Sequence, residues 1–489
     1  MEQSTDTSKL DLQKLDFDKT WSFPRPKDNY TSNSEVDDDK FVQQKFIDEY
    51  YVTGHQIFNS KFFPDKQVMI PIAGSKKDKP EHRLEVIKVK RVGLPIQLLA
   101  IDAIASHLFG NEVVHKEVAF GTEIKDETKI GAFQELWRYR NMNSVVSEFF
   151  EQCLICADAA LYFYLDEEGE LKTKILSALD NESLFAKRDK FGELETLYRR
   201  YKSFDEDGEL ATFIDAIDGT SVITYDNDGN RIESSPHGFK SIPVVYHYRK
   251  EGAFWTPAQN NIDNMEVNLS SLAEDNKTKT KSKYLIKATR PSDVQSTTVG
   301  GSDVIVTNTD GDFRLIQPAE ISTAFEYEYK TIKESVFQTL GIVFPESKSS
   351  GDMPTGSMKI QFYPAERVCK QLINEFASPL DKISKLFQMG ASAEFSEVDF
   401  LDMRISSKML PFVPSDDIST LSATADALSK GALTPESMVR ANSKYLDSKD
   451  VSLLIEIANK KNEAKKVEVK EEEVKEDIIE EPKEELIKE

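Results

Sequence analysis

The feature that most constrains this chain is a long apolar stripe toward its C-terminal end. Between about residues 357 and 389, Val368, Cys369, Leu372, Ile373, Phe376, Leu380, Ile383 and Phe387 recur every three or four positions. That spacing places them on one face of one long α-helix. A helix with such a stripe is not stable alone, so other elements must cover its apolar side. Pro364 and Pro379 fall inside the pattern and are expected to bend the helix.

Two further helical patterns precede it. The first runs from about 257 to 283, has Pro257 in its first turn, and carries Ile262, Met265, Leu269 and Leu272 on its stripe. The second runs from about 319 to 340 and carries Phe325, Tyr329, Ile332, Val336 and Leu340. Short strands at 284–288, 304–307 and 313–316 lie between them, punctuated by Pro291, Gly300-Gly301 and Asp310-Gly311. The Gly/Ser/Pro-rich stretch 341–357 separates the second helix from the long one.

Nearer the N-terminus, a helix is expected at 41–52 and a strand at 83–92. Another helix at 95–110 has Gln97, Asp102, Ser106 and His107 on a polar face, with Leu98, Leu99, Ile101, Ile104, Ala105 and Leu108 opposite. A helical pattern then extends from about 131 to 162, with a break near 141–143. From 161 the period changes to 2, and strands alternate with turns at 166–169, around Gly208 and at Asp228-Gly229. This antiparallel region runs to about 242–249. A strand near 398–406 and a small helical module at 415–460 follow the long helix. Residues 1–40 and 461–489 are polar, charged and expected to be disordered. The fold class is α+β.

Composition excludes several functions. Against 85 Asp and Glu stand 62 Lys and Arg, a net charge of −23. A chain this acidic repels a polyanion on average, which argues against tight, stationary binding of DNA or RNA. It leaves open a surface along which nucleic acid moves without sticking. Three cysteines, Cys153, Cys156 and Cys369, suit a reducing interior and no disulfide framework. Neither a signal peptide nor a transmembrane segment is expected.

Motifs of catalysis are wanting. The segment GDMPTG, 351–356, has the glycine spacing of a phosphate loop, yet Ser357-Met358 follow where Lys and Ser/Thr should stand. Cys153 and Cys156 lie in an apolar helical stretch without the further ligands a zinc site needs. The six histidines are scattered. No cofactor, metal or catalytic residue is assigned. Lys277, Lys279, Lys281 and Lys283 alternate with Thr and Ser. On a strand they would form one basic face for DNA or a partner; on a helix end they would be solvated cations suited to the C-terminal dipole.

The order of these parts resembles the portal protein family of tailed bacteriophages. LPIQLLAIDAIASHLFGNEVVH resembles the family's early helix with its Leu-Phe-Gly turn, and LYFYLDEEGELK and SIPVVYHYR look like its hairpin strands and the approach to the first stem helix. Residues 321–376 resemble stem helix, tunnel loop and long wing helix in succession, and LSKGALTPESMV looks like the crown's helix–turn–helix. The resemblance spans about 41–460. It implies a portal-type fold: wing at 41–256 and 358–414, stem at 257–290 and 319–340, clip at 291–318, tunnel loop at 341–357 and crown at 415–460, between the flexible arm and the charged tail.

The resemblance further implies a non-enzymatic homo-oligomer, a dodecameric ring at one capsid vertex of the virion, assembled in the host cytoplasm. Double-stranded DNA would pass through it, held weakly and without sequence preference, during packaging and ejection. Implied partners are the terminase large subunit, head-completion or adaptor proteins, and the major capsid and scaffolding proteins, with no membrane. Residues Lys348, Ser349, Ser350, Gly351, Asp352, Pro354, Thr355 and Gly356 would face the DNA from the tunnel loop, and Lys277, Lys279, Lys281 and Lys283 would form a basic ring. The alternatives are another virion structural or adaptor protein, or a nucleotide-dependent DNA-processing enzyme built on GDMPTGS.

Overall fold

The computed structural model describes residues 43–71, 82–118, 127–204, 208–279, 283–287, 298–299, 302–307, 312–316, 322–343, 355–395 and 400–411. The chain divides into two compact units, 1–350 with 359–412, and 351–358 with 413–489. All described residues except 355–358 belong to the former. The expected arm, crown and charged tail lie outside the described residues.

The elements in chain order begin with α1 (Gln44–Tyr50), β1 (Lys66–Pro71), β2 (His82–Ile87), α2 (Ile96–Phe109), β3 (Val114–Glu117), α3 (Glu127–Tyr139) and α4 (Met142–Cys156). Eight strands follow: β4 (Asp158–Leu165), β5 (Leu171–Leu176), β6 (Ser183–Arg188), β7 (Leu194–Phe204), β8 (Leu210–Ile217), β9 (Ser221–Tyr225), β10 (Arg231–Pro236) and β11 (Val244–Tyr248). Then come α5 (Gln259–Lys279), β12 (Lys283–Lys287), β13 (Thr298–Val299), β14 (Ser302–Thr307), β15 (Asp312–Ile316), α6 (Ser322–Leu340), α7 (Thr355–Glu394) and β16 (Ile405–Lys408). The fold is α+β.

Helix α7 is the spine, continuous through Pro364 and Pro379. Val368, Cys369, Leu372, Phe376, Leu380, Ile383 and Phe387 are buried, as their spacing requires, and Ile373 is half-buried. They join one core with α2, α3, α4 and the chain around Trp255. Its aromatic centre is close: Phe150 stacks on Phe376 at 4.1 Å between ring centroids, and Trp137 meets Phe387 edge-on at 5.1 Å. On α6, Val336 and Leu340 are buried and Phe325, Tyr329 and Ile332 half-buried, so that stripe also faces inward.

The antiparallel region forms two sheets, ordered β10-β9-β8-β7-β6 and β11-β4-β5. Its hairpins repeat one turn chemistry. Asp166 Oδ1 accepts the amides of Glu168 and Glu170, Asp189 Oδ1 those of Phe191 and Glu193, and Asp226 Oδ1 those of Asp228 and Asn230. Glycine stands three residues after each aspartate at a positive φ of 79°, 88° and 79°, a backbone that closes the turn with no Cβ in the way. A further sheet, β13-β14-β12-β15, pairs β12 with β14 in parallel and β15 antiparallel.

Four expectations need correction. The helical pattern expected to reach 162 ends at Cys156, and 158–165 is β4. Its mostly buried residues give no clear period to separate helix from strand, and pairing with β5 and β11 decides it. Gln97, expected on an exposed face, is completely buried, while Leu98 and Leu99 are exposed. The Gln97 Nε2 donates to Gln259 Oε1 at 2.9 Å, a partner only the tertiary fold supplies. The strand expected near 398–406 is β16, displaced to Ile405–Lys408 and paired with β3. The first expected helix is shorter than 41–52; after α1 the chain tightens into 3₁₀ turns at Val52–Gly54 and Gln56–Phe58.

Gly54 sits in that tight passage. A Cβ there would lie 2.5 Å from the backbone oxygen of Asp48 and 2.8 Å from its Cα. Gly54→Ala is therefore expected to lower stability by about 1–3 kcal/mol in thermal or chemical unfolding, because backbone must move to admit it.

Candidate functional site

Helix α5 packs against α6, and an unusual polar contact holds it to the segment before α2. Its apolar residues Ile262 and Met265 are buried, but Leu269 and Leu272 are only half-buried. The helix instead buries Glu266, Ser270 and Glu274, four residues apart and therefore on one face. Against that face runs the extended segment 90–94. Leu94 N donates to Glu266 Oε1 at 2.7 Å, Val92 N to Ser270 Oγ at 2.9 Å, and Lys90 N to Glu274 Oε2 at 3.3 Å.

The match is geometric. Four helical residues rise about 6 Å and two extended residues about 6.6 Å, so acceptors spaced by four meet amides spaced by two. The contact satisfies three backbone donors that pair with no neighbouring strand. Lys66 Nζ reaches Glu274 Oε1 at 3.4 Å from β1.

At the upper end His55 Nδ1 donates to Glu266 Oε1 at 2.6 Å, both side chains fully buried. Burial alone would lower the pKa of His55; the hydrogen bond and charge of Glu266 outweigh it and raise it. Burial pushes Glu49 and Asp263 up, although Trp255 Nε1 donates to Glu49 Oε2 at 2.9 Å and Gln259 Nε2 to Asp263 Oδ1 at 2.9 Å.

Asp158, at the start of β4, is also completely enclosed. Burial raises it to about 7, against hydrogen bonds from Tyr246 Oη at 3.2 Å and Gln43 Nε2 at 3.1 Å. An acid whose folded pKa lies above its unfolded value of about 3.9 contributes stability that is complete below the unfolded pKa and lost as pH rises through 7. His115 works oppositely: burial lowers it to about 4, so its contribution is lost as pH falls from about 6.5 toward 4. Comparing Asp158→Asn with the parent isolates the first effect. The variant's stability at pH 8 relative to pH 5 is expected to exceed the parent's by roughly 2–3 kcal/mol in chemical denaturation; parallel pH profiles would refute the assignment.

The residues expected to touch DNA fall out unevenly. Lys348, Ser349, Ser350, Gly351, Asp352, Pro354 and Lys281 lie outside the described residues. Thr355 and Gly356, expected in a loop reaching 357, open α7 instead, because extending an existing helix backward needs no new nucleus. Lys277 and Lys279 close α5 and Lys283 opens β12, so the basic alternation crosses an element boundary and does not follow one strand. Cys153, Cys156 and Cys369 are free and buried, and burial pushes Cys156 up to about 12 and Cys369 to about 11, which keeps them as thiols.

Sequence reasoning missed Glu266, Ser270, Glu274 and His55. The available signal was the acceptor at every fourth position of a helix whose apolar stripe thins after Met265. Among the described residues no group of three or more His, Cys, Asp or Glu could hold a metal ion, and no helix is long and apolar enough to cross a membrane.

The sequence matches the family of phage portal proteins, SPP1 Gp6-like, over residues 36–477 of the 489. No curated protein matches the chain.

Proposed function

The chain belongs to the phage portal protein family, and from that premise we propose that it closes into a dodecameric ring at one capsid vertex, through which double-stranded DNA is packaged and later ejected. The family's role is structural, as a component of the virion, and the match over 36–477 is the observation that carries the reading. On this proposal the terminase large subunit docks on the sheet of β12–β15 during packaging, head-completion or adaptor proteins replace it, and capsid and scaffolding proteins surround the wing.

Two physical features support it. Twelve copies at −23 each give −276 formal charges, a field in which a duplex is not gripped because few cations are offered to its phosphates. The stem helices α5 and α6 also start from a rigid base. The 266–270–274 ladder ties α5 to segment 90–94, and Val336 and Leu340 seat α6 in the main core. Force applied at the β12–β15 sheet would pass into the wing through that base.

Electron micrographs of the purified protein test the proposal. They are expected to show rings with a central hole, and mass measurement should give twelve subunits of 55.5 kDa, 666 kDa in all. The isolated protein should hydrolyse no ATP. A compact monomer that holds plasmid at physiological salt would overturn the reading.

A further inference from the structure

A buried cluster near the start of α5 carries more acid than its partners neutralise. Glu49 lies in the last turn of α1, Asp263 and Glu266 lie one turn apart on α5, and His55 joins the two 3₁₀ turns. All four residues are less than a tenth exposed. The cations facing them are few. Lys45, one turn earlier on α1, reaches Glu49 at 3.8 Å from an exposed position. Segment 90–94 brings the Leu94 amide to Glu266; its Lys90 is exposed at the Glu274 end, and its Arg91 pairs with Asp65 at 2.9 Å. Neutral donors serve the rest, Trp255 to Glu49 and Gln259 to Asp263, while Glu266 Oε2 has no hydrogen-bond partner.

Three carboxyl groups thus face one imidazole and one exposed ammonium, almost out of contact with water. Buried like charges repel, and a fold relieves them either by holding protons or by letting water in. His55, Glu49 and Asp263 all bind protons more tightly than the free residues do. Their contributions are complete below the unfolded pKa values, about 6.5 for the histidine and about 4 for the acids. Each is lost as pH rises through the folded value, so all three weaken the contact in the same direction.

What gives way is decided by how each side is held. Ile262 and Met265 anchor α5 in the main core. The layer over the cluster is slight: two 3₁₀ turns of three residues each, with Ile57 the buried residue within them, and one extended segment. Short pieces with little buried apolar surface are where local opening begins. We propose that Glu49, His55, Asp263 and Glu266 form a proton-operated clasp, closed while the cluster keeps its protons and releasing the turns at 52–58 and segment 90–94 from α5 when it loses them. The clasp does not depend on the ring; on the portal reading it would let alkaline conditions loosen the stem where it joins the wing.

Hydrogen exchange of the full chain, followed by mass spectrometry, tests it, because the amides of Val92 and Leu94 donate directly into α5. After correction for intrinsic rates, peptides covering 52–58 and 90–94 are expected to lose protection at least about tenfold between about pH 5.5 and 9, the effect of one unit of pKa displacement. Peptides from 372–387 of α7 should stay protected. His55→Asn keeps a donor near the place of Nδ1 but does not titrate, and Asp263→Asn keeps the acceptor for Gln259 while removing one acid. Each is expected to cut the pH dependence of those peptides to about threefold or less. Asp263→Asn, which preserves shape and its hydrogen bond, keeps the measurement informative should His55→Asn not fold. Equal protection at both pH values, a loss that runs in parallel through 372–387, or the parent's full dependence in the variants would overturn the proposal.

Discussion

Glu266→Ala is expected to lower the unfolding free energy by about 4–5 kcal/mol, a large share of the stability of an ordinary domain. Glu266 Oε1 is the acceptor for both His55 Nδ1 and Leu94 N, and the glutamate is 1% exposed. Removing the carboxylate strands the buried His55 Nδ1 and the Leu94 amide, each of which loses its acceptor. Glu266→Gln keeps an acceptor for Leu94 N but loses the charge opposite His55, and should lose only about 1–2 kcal/mol. His55→Ala alone should be intermediate. In the double variant His55→Ala/Glu266→Ala the loss should be well short of additive, because each single change already orphans the other partner. Chemical denaturation supplies all four corners of the cycle. A loss below about 1 kcal/mol for Glu266→Ala would show that segment 90–94 is held by something other than the ladder.

What the sequence revealed and what it concealed divide along a physical line. The α7 stripe was legible because Leu372, Phe376, Leu380, Ile383 and Phe387 carry their own period, and burying them is favourable whatever covers them. The hairpins were legible because an aspartate followed by glycine three residues later specifies its turn locally. Contacts between distant segments left little trace. Gln97 has the composition of a solvated face until Gln259 meets it, and Ser407 shows nothing of its place between His115, at 2.8 Å, and Ser384, at 2.6 Å. The pairing of β3 with β16 joins segments nearly the length of the described chain apart, and no local pattern fixes such a register.

The candidate site follows the same division. The order of helices, short strands and a Gly/Ser/Pro stretch pointed to the family that the comparison then matched. The ladder on α5 remained hidden because a buried glutamate and an exposed one look alike in a chain with 85 acidic residues. The alternation from Lys277 to Lys283 left a helix end and a strand face equally open, and each holds for part of it: a helix ends at Lys279 and a strand begins at Lys283.

Deleting 346–354, which stops short of α7, is expected to leave ring assembly intact while reducing packaged DNA per particle at least about tenfold, since on the portal reading the segment supplies the contacts that steady the duplex. Assembly should survive because the helices on either side are seated independently. Leu340 and Ile342 lie in the core before the deletion, and α7 is anchored from Ala365 onward. On the portal reading packaging should suffer because a chain of net charge −23 offers a duplex few cations, and Lys348, with Ser349, Ser350 and Gly351 beside it in sequence, would supply a weak contact. Weakness is a requirement here. Each phosphate a cation neutralises releases counterions and deepens the hold on one position, so a strong contact would arrest the DNA that the channel must pass. Lys348→Ala alone should therefore have a much smaller effect than the deletion. Lys348→Glu should retain less DNA at low salt and approach the parent as ionic strength rises, since screening removes the added repulsion. Protected DNA per assembled particle, measured beside ring counts in micrographs, decides the matter. Loss of rings would mean that 346–354 belongs to the fold, and full heads with intact rings would mean that the segment does not face the channel.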